Sequence, residues 1–425
     1  MLRIMSLQGP LLVVAETPAA DLTEALSTAG AFPIVDTTWA DAPTAFVSVK
    51  PAAVILAEPG PPERESAERM LGLQIATASA PIVPTIARVS DGHEPPMPFA
   101  LAIDAGRPLE RLVARLNASL RVRALHETIL RRVESATAAG DAVPELPTHD
   151  ALDDATVLIV GRGALYPALS VAAAERFNTV GAFSAETAAT HLDVRDIDGV
   201  VVGDGLSPRK VEAFLTLLAE EPRLRDLPVA MIGEAPADFD DILVNLDRVD
   251  GDPARLVSRL IPAVRLHAFE TRLKRMLASL DAGGTVDPQT GLLTHDAFWR
   301  DLNKAMAEAV DRSLPLALAR FAFEGAYEQR AGLDGARLLA RLIRNIDFAT
   351  RDDDGAIVVA LTQTDLRHAH VVVRRLAGTL RNHMRPADNP QQPITANVTL
   401  ATRKTGDSLD SLMMRVMGDQ VVAAE

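Results

Sequence analysis

The stretch Thr156-Val157-Leu158-Ile159-Val160 places five β-branched or aliphatic residues in a row, which predicts a short buried strand. Two further apolar runs follow at residues 199–202 and 228–232, and an amphipathic pattern over residues 253–280 predicts a long helix. Short apolar strands that alternate with helices are typical of a doubly wound parallel sheet. We therefore predict an α/β domain over residues 151–282.

The part of the chain before this domain shows the same alternation. Its predicted strands and helix lie at residues 11–15, 53–57, 81–85, 99–103 and 109–130. Residues 135–154 are rich in Ala, Pro, Gly and Asp without helical periodicity, and we interpret them as a linker. The chain thus contains a divergent internal repeat, with a first α/β domain over residues 1–140.

Length and composition limit the class of protein. At 425 residues the chain is too long for one hydrophobic core, and about 150 residues per domain predicts three domains. The formal charge of −14 disfavours nucleic acid and anionic membranes, so an anionic ligand requires a local cluster of arginines. The sequence has no cysteine, no apolar run of about 18 residues and no convincing signal peptide, which favours a cytoplasmic protein without a membrane span.

Two local motifs resemble parts of a known family. The turn Glu221-Pro222-Arg223-Leu224-Arg225-Asp226-Leu227-Pro228-Val229 resembles the turn before the fourth strand of response-regulator receiver domains. After Gly283-Gly284, the run Asp287-Pro288-Gln289-Thr290-Gly291-Leu292-Leu293 resembles the opening of the GGDEF, or diguanylate cyclase, domain. The order receiver, receiver, GGDEF is that of PopA/PleD-type response regulators. The resemblance implies two receiver-like doubly wound parallel-sheet domains, followed by a GGDEF α/β domain over residues 283–425.

The aspartate nucleophile that receivers use for phosphorylation is missing in both copies, although the first copy keeps one carboxylate of the acidic pair at Glu16. That chemistry needs an acidic pair for Mg²⁺ and an aspartate nucleophile after the third strand. By the resemblance, Ala57 takes the nucleophile position in the first copy and Gly203 takes it in the second, with Asp204 one place too late. Gly161-Arg162 replaces the acidic pair of the second copy. We predict no phosphorylation of the second copy and leave that of the first open, where a one-residue shift would make Glu58 a fixed negative charge. The domains then serve for dimerisation and docking, or as folded spacers.

The cyclase residues are also replaced, which predicts that the protein is not an enzyme. Arg320 and Ala322 stand where the family carries metal-binding aspartates, and no clear counterpart exists for its guanine-reading loop. Asp353-Asp354 replaces two glycines that let phosphates approach, and Ala356 replaces an acid of the metal site. Ala424 stands where a phosphate-binding lysine is expected. Without the family, Asp354-Gly355 is simply a two-residue hairpin turn between strands at residues 348–351 and 357–361.

A binding motif remains at Arg344-Asn345-Ile346-Asp347. Its spacing to the hairpin is that of the Arg-x-x-Asp motif, which in cyclases forms the inhibitory site for cyclic di-GMP. A guanidinium group can bind a phosphate or a guanine edge through paired donors, and a carboxylate accepts from base N–H groups. The alternative is an ordinary Arg–Asp pair at a helix end, worth a few tenths of a kcal/mol. The ligand contacts implied by the resemblance are Arg344, Asp347, Arg375, Arg374, Arg351 and Arg312.

The sequence as a whole predicts a noncatalytic cyclic di-GMP effector with no cofactor and no metal. The resemblance implies a homodimer that recruits proteolytic adaptors at the cell pole during the cell cycle. One alternative is a ligand-independent signalling scaffold, and another is a residual enzyme in which Glu324 replaces the missing aspartates. We predict no metal site at His368 and His370, because residues two apart point to different faces of a helix. Three methionines are assigned to core packing: Met413, Met414 and Met417.

Overall fold

A computed structural model of the protein describes residues 8–57, 82–90, 99–139, 143, 150–233, 239–249, 251–311, 314–323, 328–344, 346–384 and 395–417. The chain forms two compact units. The first comprises Met1–Arg132, Thr148–Ala189 and Ile197–Leu273, and it contains two parallel sheets. The second comprises Val133–Pro147, Thr190–Asp196 and Lys274–Glu425, and it contains an antiparallel sheet. The α/β class and the parallel sheets agree with the sequence prediction.

The first sheet is formed by β1 (Gln8–Val14), β2 (Phe32–Thr37), β3 (Ala53–Leu56), β4 (Thr85–Val89) and β5 (Leu101–Asp104). The helices of this region are α1 (Ala20–Thr28), α2 (Ala42–Val49) and α3 (Leu109–Ala139). The strands are parallel in the order β2-β1-β3-β4-β5, which is the flavodoxin-like doubly wound order. All four residues of β3 are buried, because a central parallel strand is covered on both faces.

Two boundaries in this region differ from the sequence prediction. The strand expected over residues 81–85 starts only at Thr85 and continues to Val89, because prolines at 81 and 84 cannot donate to a sheet. Pro81 itself lies outside the described residues. The helix expected to end at residue 130 continues to Ala139, so the first residues of the proposed linker are helical. Alanine favours helix, which explains why this Ala-rich stretch does not end it.

The second sheet has the same topology. It is formed by β6 (Thr156–Val160), β7 (Asn178–Ala182), β8 (Gly199–Val202), β9 (Val229–Ile232) and β10 (Leu246–Val249). Its helices are α4 (Tyr166–Ala174), α5 (Ala185–Val194), α6 (Pro208–Glu220), α7 (Phe239–Ile242) and α8 (Pro253–Asp281). The parallel order β7-β6-β8-β9-β10 repeats that of the first sheet. The strand predicted at Thr156–Val160 and the long helix after residue 253 are confirmed.

Within the first unit, α3 and β5 pack against α8 and β10 through buried charges. Arg115 on α3 is only 3% exposed, and its guanidinium group lies 2.7 Å from an oxygen of Asp247 on β10. The same group donates to the carbonyls of Ala102 and Val244. Arg259 on α8, also 3% exposed, lies 2.9 Å from Asp104 at the end of β5. Each repeat therefore supplies one buried arginine to a carboxylate of the other.

The second unit has four antiparallel strands in the order β12-β13-β11-β14. They are β11 (Leu316–Phe323), β12 (Phe348–Arg351), β13 (Ile357–Thr362) and β14 (Ala396–Thr402). The helices are α9 (His295–Asp311), α10 (Glu328–Leu342), α11 (Leu366–His383) and α12 (Leu409–Met417). One face of the sheet shares a core with α10 and α11, and the other shares a core with α9 and α12. This sandwich of helices fixes the hairpin β12–β13 and the loop that precedes it.

Candidate functional site

The hairpin between β12 and β13 has a three-residue loop. The backbone N–H of Asp352 donates to the carbonyl of Ala356, and the N–H of Gly355 donates to the carbonyl of Asp352. Gly355 has φ +81°, a left-handed conformation that glycine adopts without strain. This geometry matches a turn followed by a left-handed glycine, so the two-residue turn expected from the sequence is wrong. The two flanking strands are confirmed.

The acidic hairpin has its own counter-ion. Arg320 on β11 forms a close ion pair with the carboxylate of Asp354. Asp352 lies on the same turn, 3.6 Å from the ring of His295. Burial raises the pKa of Asp352, the neighbouring Asp354 raises it further, and His295 and Arg320 oppose the shift. Arg320 therefore stands where the resemblance predicts a metal-binding aspartate, and its positive charge offsets part of the negative charge of the hairpin.

The hairpin also lies close to α10. A Cβ added at Gly332 would stand 2.5 Å from the carbonyl oxygen of Gly355, so only glycine permits this approach. A Cβ at Gly335 would stand 2.8 Å from the ring of Phe323 on β11. Backbone therefore contacts backbone at the hairpin tip, which leaves little space between Gly332 and Gly355 for a phosphate.

The Arg-x-x-Asp motif lies in the loop between α10 and β12. The helix ends at Leu342, and the N–H of Asp347 donates to the carbonyl of Arg344. The carboxylate of Asp347 is 6% exposed and accepts from the backbone N–H of Thr362, at 3.0 Å, at the end of β13. Burial raises the pKa of Asp347, while the bond from Thr362 and the charge of Arg344 oppose this shift. Asp347 thus anchors the loop to the sheet.

Arg344 differs from the arginines on the preceding turns. Its side chain is exposed, and within the described residues it forms no ion pair. Arg341 and Arg337, in contrast, face Asp196, which belongs to the same compact unit. Burial alone would raise the pKa of Asp196, but the guanidinium groups around it lower that pKa. Arg344 is therefore a cation available to a ligand.

The other predicted contacts are distributed over the second unit. Arg375 and Arg374 are exposed on α11, and Arg351 is half-buried at the end of β12. Arg312 and Glu324 lie outside the described residues. The structure therefore brings Arg344 and Asp347 into one loop. Within the described residues, no hydrogen bond or ion pair joins this loop to Arg374 or Arg375. Whether these arginines bind a ligand stays a prediction.

A pocket beside this loop was not predicted from the sequence. It has a volume of about 360 Å³, and Ile346 of the motif forms part of its wall. Its apolar lining comes from α9 and from the strand ends: Ala305, Ala309, Leu314, Leu316 and Phe348. Its rim includes Lys304, Glu308 and Gln363. Pockets of this volume suit small ligands. The sequence offers one local sign of this pocket: two small residues, the alanines at 305 and 309, lie four apart and so share one face of α9.

The positions compared with a receiver active site have structural partners in the second sheet. The carboxylate of Asp204 accepts from the backbone N–H of Leu165, at 3.2 Å. A Cβ at Gly163 would overlap this carboxylate, and a Cβ at Gly205 would meet the backbone of Gly163. The glycine loops after β6 and β8 are thus closed on each other around Asp204. In the first sheet Ala57 is buried, and Glu58 lies outside the described residues.

The remaining sequence predictions have mixed outcomes. Met413 is buried as expected, but Met414 is 69% exposed and Met417 is 47% exposed, so their assignment to the core is wrong. Both lie on the outer face of α12, because only one face of this short helix meets the sheet. His368 is exposed and lies 2.9 Å from Asp365, the N-terminal cap of α11. Ala424 lies outside the described residues.

The described part of the chain contains neither a metal-binding cluster nor a membrane-spanning helix. Among those residues, His, Asp and Glu form no group of three or more that could hold a metal ion. In the same residues, no helix is both long and apolar enough to cross a membrane.

Comparison with known proteins adds solved structures only. No family model and no curated protein matches the chain. Similar structures include the GGDEF domain of DgcB from Caulobacter crescentus in complex with c-di-GMP, at 20% identity and a TM-score of 0.29. That match covers 31% of this chain and 85% of the DgcB domain. The FimX GGDEF domain from Pseudomonas aeruginosa is also similar, at 20% identity and a TM-score of 0.28, over 31% of this chain and 89% of that domain. At these values the likeness does not establish a function.

Proposed function

We propose that the protein is a noncatalytic receptor for cyclic di-GMP. The ligand binds at the 344–347 loop of a degenerate GGDEF domain, in the manner that the resemblance to PopA/PleD-type regulators implies. The observation that carries this proposal is the pairing of an exposed Arg344, without an ion-pair partner in the described residues, with the anchored carboxylate of Asp347. A free guanidinium group beside a fixed acceptor suits a ligand that has both phosphates and guanine N–H donors.

The pocket next to Ile346 supports the same site. Its volume of about 360 Å³ suits a small planar group, and Asp301, Lys304 and Glu308 line it together with the apolar residues. A micromolar affinity requires about 8 kcal/mol, and each charge-assisted hydrogen bond contributes about 1.5–3 kcal/mol. Two or three such bonds from Arg344, Asp347 and Arg375, together with base stacking, would reach that value. Arg374, Arg351 and Arg312 remain further proposed contacts.

The absence of cyclase activity is the second part of the proposal. It is supported by the ion pair between Arg320 and Asp354, which takes the place of carboxylates facing a metal ion. The close backbone contact between Gly332 and Gly355 supports it as well, since nucleotide phosphates need that space. Incubation with GTP and Mg²⁺ is expected to yield no cyclic di-GMP. Formation of product would identify a residual enzyme and refute this part of the proposal.

The test of the binding site is Arg344→Ala, followed by titration calorimetry with cyclic di-GMP. We expect micromolar binding by the natural protein and no detectable heat for the variant, because the phosphate loses its main cation. The melting temperature without ligand should hardly change, since Arg344 is exposed. Arg300→Ala, an exposed arginine on α9, is the matched control and should bind normally. Retained micromolar affinity in Arg344→Ala would refute the assigned site.

One observation favours a second candidate, a ligand-independent scaffold. The buried bond between Asp347 and Thr362 gives Asp347 a structural role that needs no ligand. In that case the natural protein itself gives no heat with cyclic di-GMP while it remains folded. Under either proposal, the two parallel-sheet domains serve for dimerisation and localisation, and proteolytic adaptors at the cell pole are the proposed partners. The homodimer is tested by sedimentation of the full chain.

A further inference from the structure

The outer face of α11 carries a regular row of five residues, of which only Arg374 is also a proposed nucleotide contact. Leu366–His383 contains four arginines and no acidic residue, in a chain whose formal charge is −14. The inner face packs into the core of the second unit through five residues: Ala369, Val372, Val373, Leu376 and Leu380. The opposite face presents another five, here called the arginine row: Arg367, Val371, Arg374, Gly378 and Arg381.

The spacing of the arginine row is that of a helix-packing seam. Its members follow each other at intervals of four, three, four and three residues, which is the pattern that keeps two helices in contact over several turns. Successive arginines are seven residues apart, or about 10.5 Å along the axis. By helical geometry the row is centred directly opposite the buried face. Arg375, a proposed nucleotide contact that is not part of the row, lies about 100° around the helix axis from Arg374.

The exposed row is unpaired and partly apolar. Arg367, Arg374 and Arg381 are exposed, and none forms an ion pair with a residue that the structure describes. Val371 between them is 66% exposed. A Cβ at Gly378 would meet nothing within 4 Å, so a neighbouring helix can come close there. Three regularly spaced cations therefore alternate with one apolar side chain and one open position, which leaves room on this face for a partner helix.

We propose that the arginine row is a docking surface for an acidic helix of a partner protein. Charge complementarity selects the occupant: carboxylates seven residues apart would face the three arginines, and an apolar side chain would rest on Val371 and over Gly378. The compact guanidinium–carboxylate geometry adds direction to each contact. This surface shares only Arg374 with the proposed nucleotide site, and its occupation does not require cyclic di-GMP.

The test uses a fluorescent peptide of three heptads with glutamate at one position of each heptad and leucine at the facing seam position. A second peptide of identical composition places the glutamates five apart, so that they leave a common face. The protein variant is Arg367→Glu with Arg381→Glu, both exposed and outside the proposed nucleotide site. Its matched control is Arg176→Glu with Arg300→Glu, which makes the same change of charge at exposed positions elsewhere.

The seam peptide should bind the natural protein and the control, bind the row variant at least about tenfold more weakly, and lose affinity as salt rises. The melting temperature of the row variant should stay close to that of the natural protein. Equal binding of the second peptide, equal loss in the control, or no binding of the seam peptide would overturn the proposal. Row-dependent binding of poly(U) without peptide binding would show a nucleic-acid surface instead. Loss of self-association in the row variant would identify a second copy as occupant, and the proposal would fail.

Discussion

Asp347 shows how one side chain can serve both the fold and a ligand. Its carboxylate is buried and accepts from Thr362, and the exposed Arg344 lies near enough to oppose the rise in its pKa. The spacing of the motif predicted that the two residues act together, either on a ligand or as a pair at a helix end. The bond to Thr362 could not be predicted, because it joins residues 15 positions apart through the end of a different strand.

At the residue scale, Asp347→Asn separates the two roles by their dependence on pH. Because burial raises the pKa of Asp347, the folded protein binds a proton there more readily than the unfolded chain. Protonation therefore adds to the free energy of unfolding at acidic pH, and this contribution is lost as pH rises through the folded pKa. Asparagine keeps an acceptor for Thr362 without a charge. We expect the variant to gain stability relative to the natural protein between acidic pH and pH 7, measured by urea unfolding.

The same variant should bind cyclic di-GMP more weakly at pH 7, because an amide oxygen is a poorer acceptor for guanine N–H groups than a carboxylate. Calorimetry at pH 7 checks this. Unchanged affinity together with the predicted stability profile would assign Asp347 to the fold alone.

At the scale of elements, the sequence predicted strands and helices better than their connections. Buried strands such as Thr156–Val160 can be predicted because every residue is β-branched or aliphatic. The hairpin loop was predicted one residue too short, since Asp354-Gly355 fits two turn types and only the φ of Gly355 and the pairing of Asp352 with Ala356 distinguish them. The ion pair between Arg320 on β11 and Asp354 in the hairpin loop joins residues 34 positions apart, which no local pattern encodes.

The buried ion pair between α3 and β10 should contribute strongly to the stability of the first unit. Arg115→Ala removes the partner of Asp247 and leaves two carbonyls without their donor. Loss of one member of a buried ion pair costs about 3–5 kcal/mol, and we expect a loss of that size in the free energy of unfolding of the first unit. Urea unfolding followed at Trp39, which is buried in this unit, measures it.

Arg121→Ala is the matched control, because Arg121 also lies on α3 but pairs with Asp226 at 3.7 Å with both side chains about half exposed. Its cost should stay within about 0.5 kcal/mol. Similar costs for the two variants would show that the buried network does not hold α3 against β10.

At the scale of the whole molecule, the alternation of strand and helix patterns predicted two parallel sheets, but neither their 2-1-3-4-5 strand order nor the edge strands β2, β7 and β10. The third α/β domain was predicted only by the resemblance that begins after residue 283. The division into two compact units, with residues 190–196 belonging to the second, does not follow from the sequence. Contacts of this unit join distant parts of the chain: Asp196, for example, pairs with Arg341, 145 residues further along.

The two tryptophans allow the proposed ligand site to be located in the intact chain. Trp39 belongs to the first unit and Trp299, on α9, to the second. Trp39→Phe and Trp299→Phe therefore each leave a reporter in one unit.

A ligand that binds only the native state stabilises it by about 2.7 kcal/mol at a hundredfold excess over Kd. We expect cyclic di-GMP to shift the urea transition reported by Trp299 by that amount and to leave the transition reported by Trp39 in place. The same measurement with Arg344→Ala should show no shift of either transition. A shift that appears only at Trp39 would place the ligand in the parallel-sheet unit and exclude the 344–347 loop as its site.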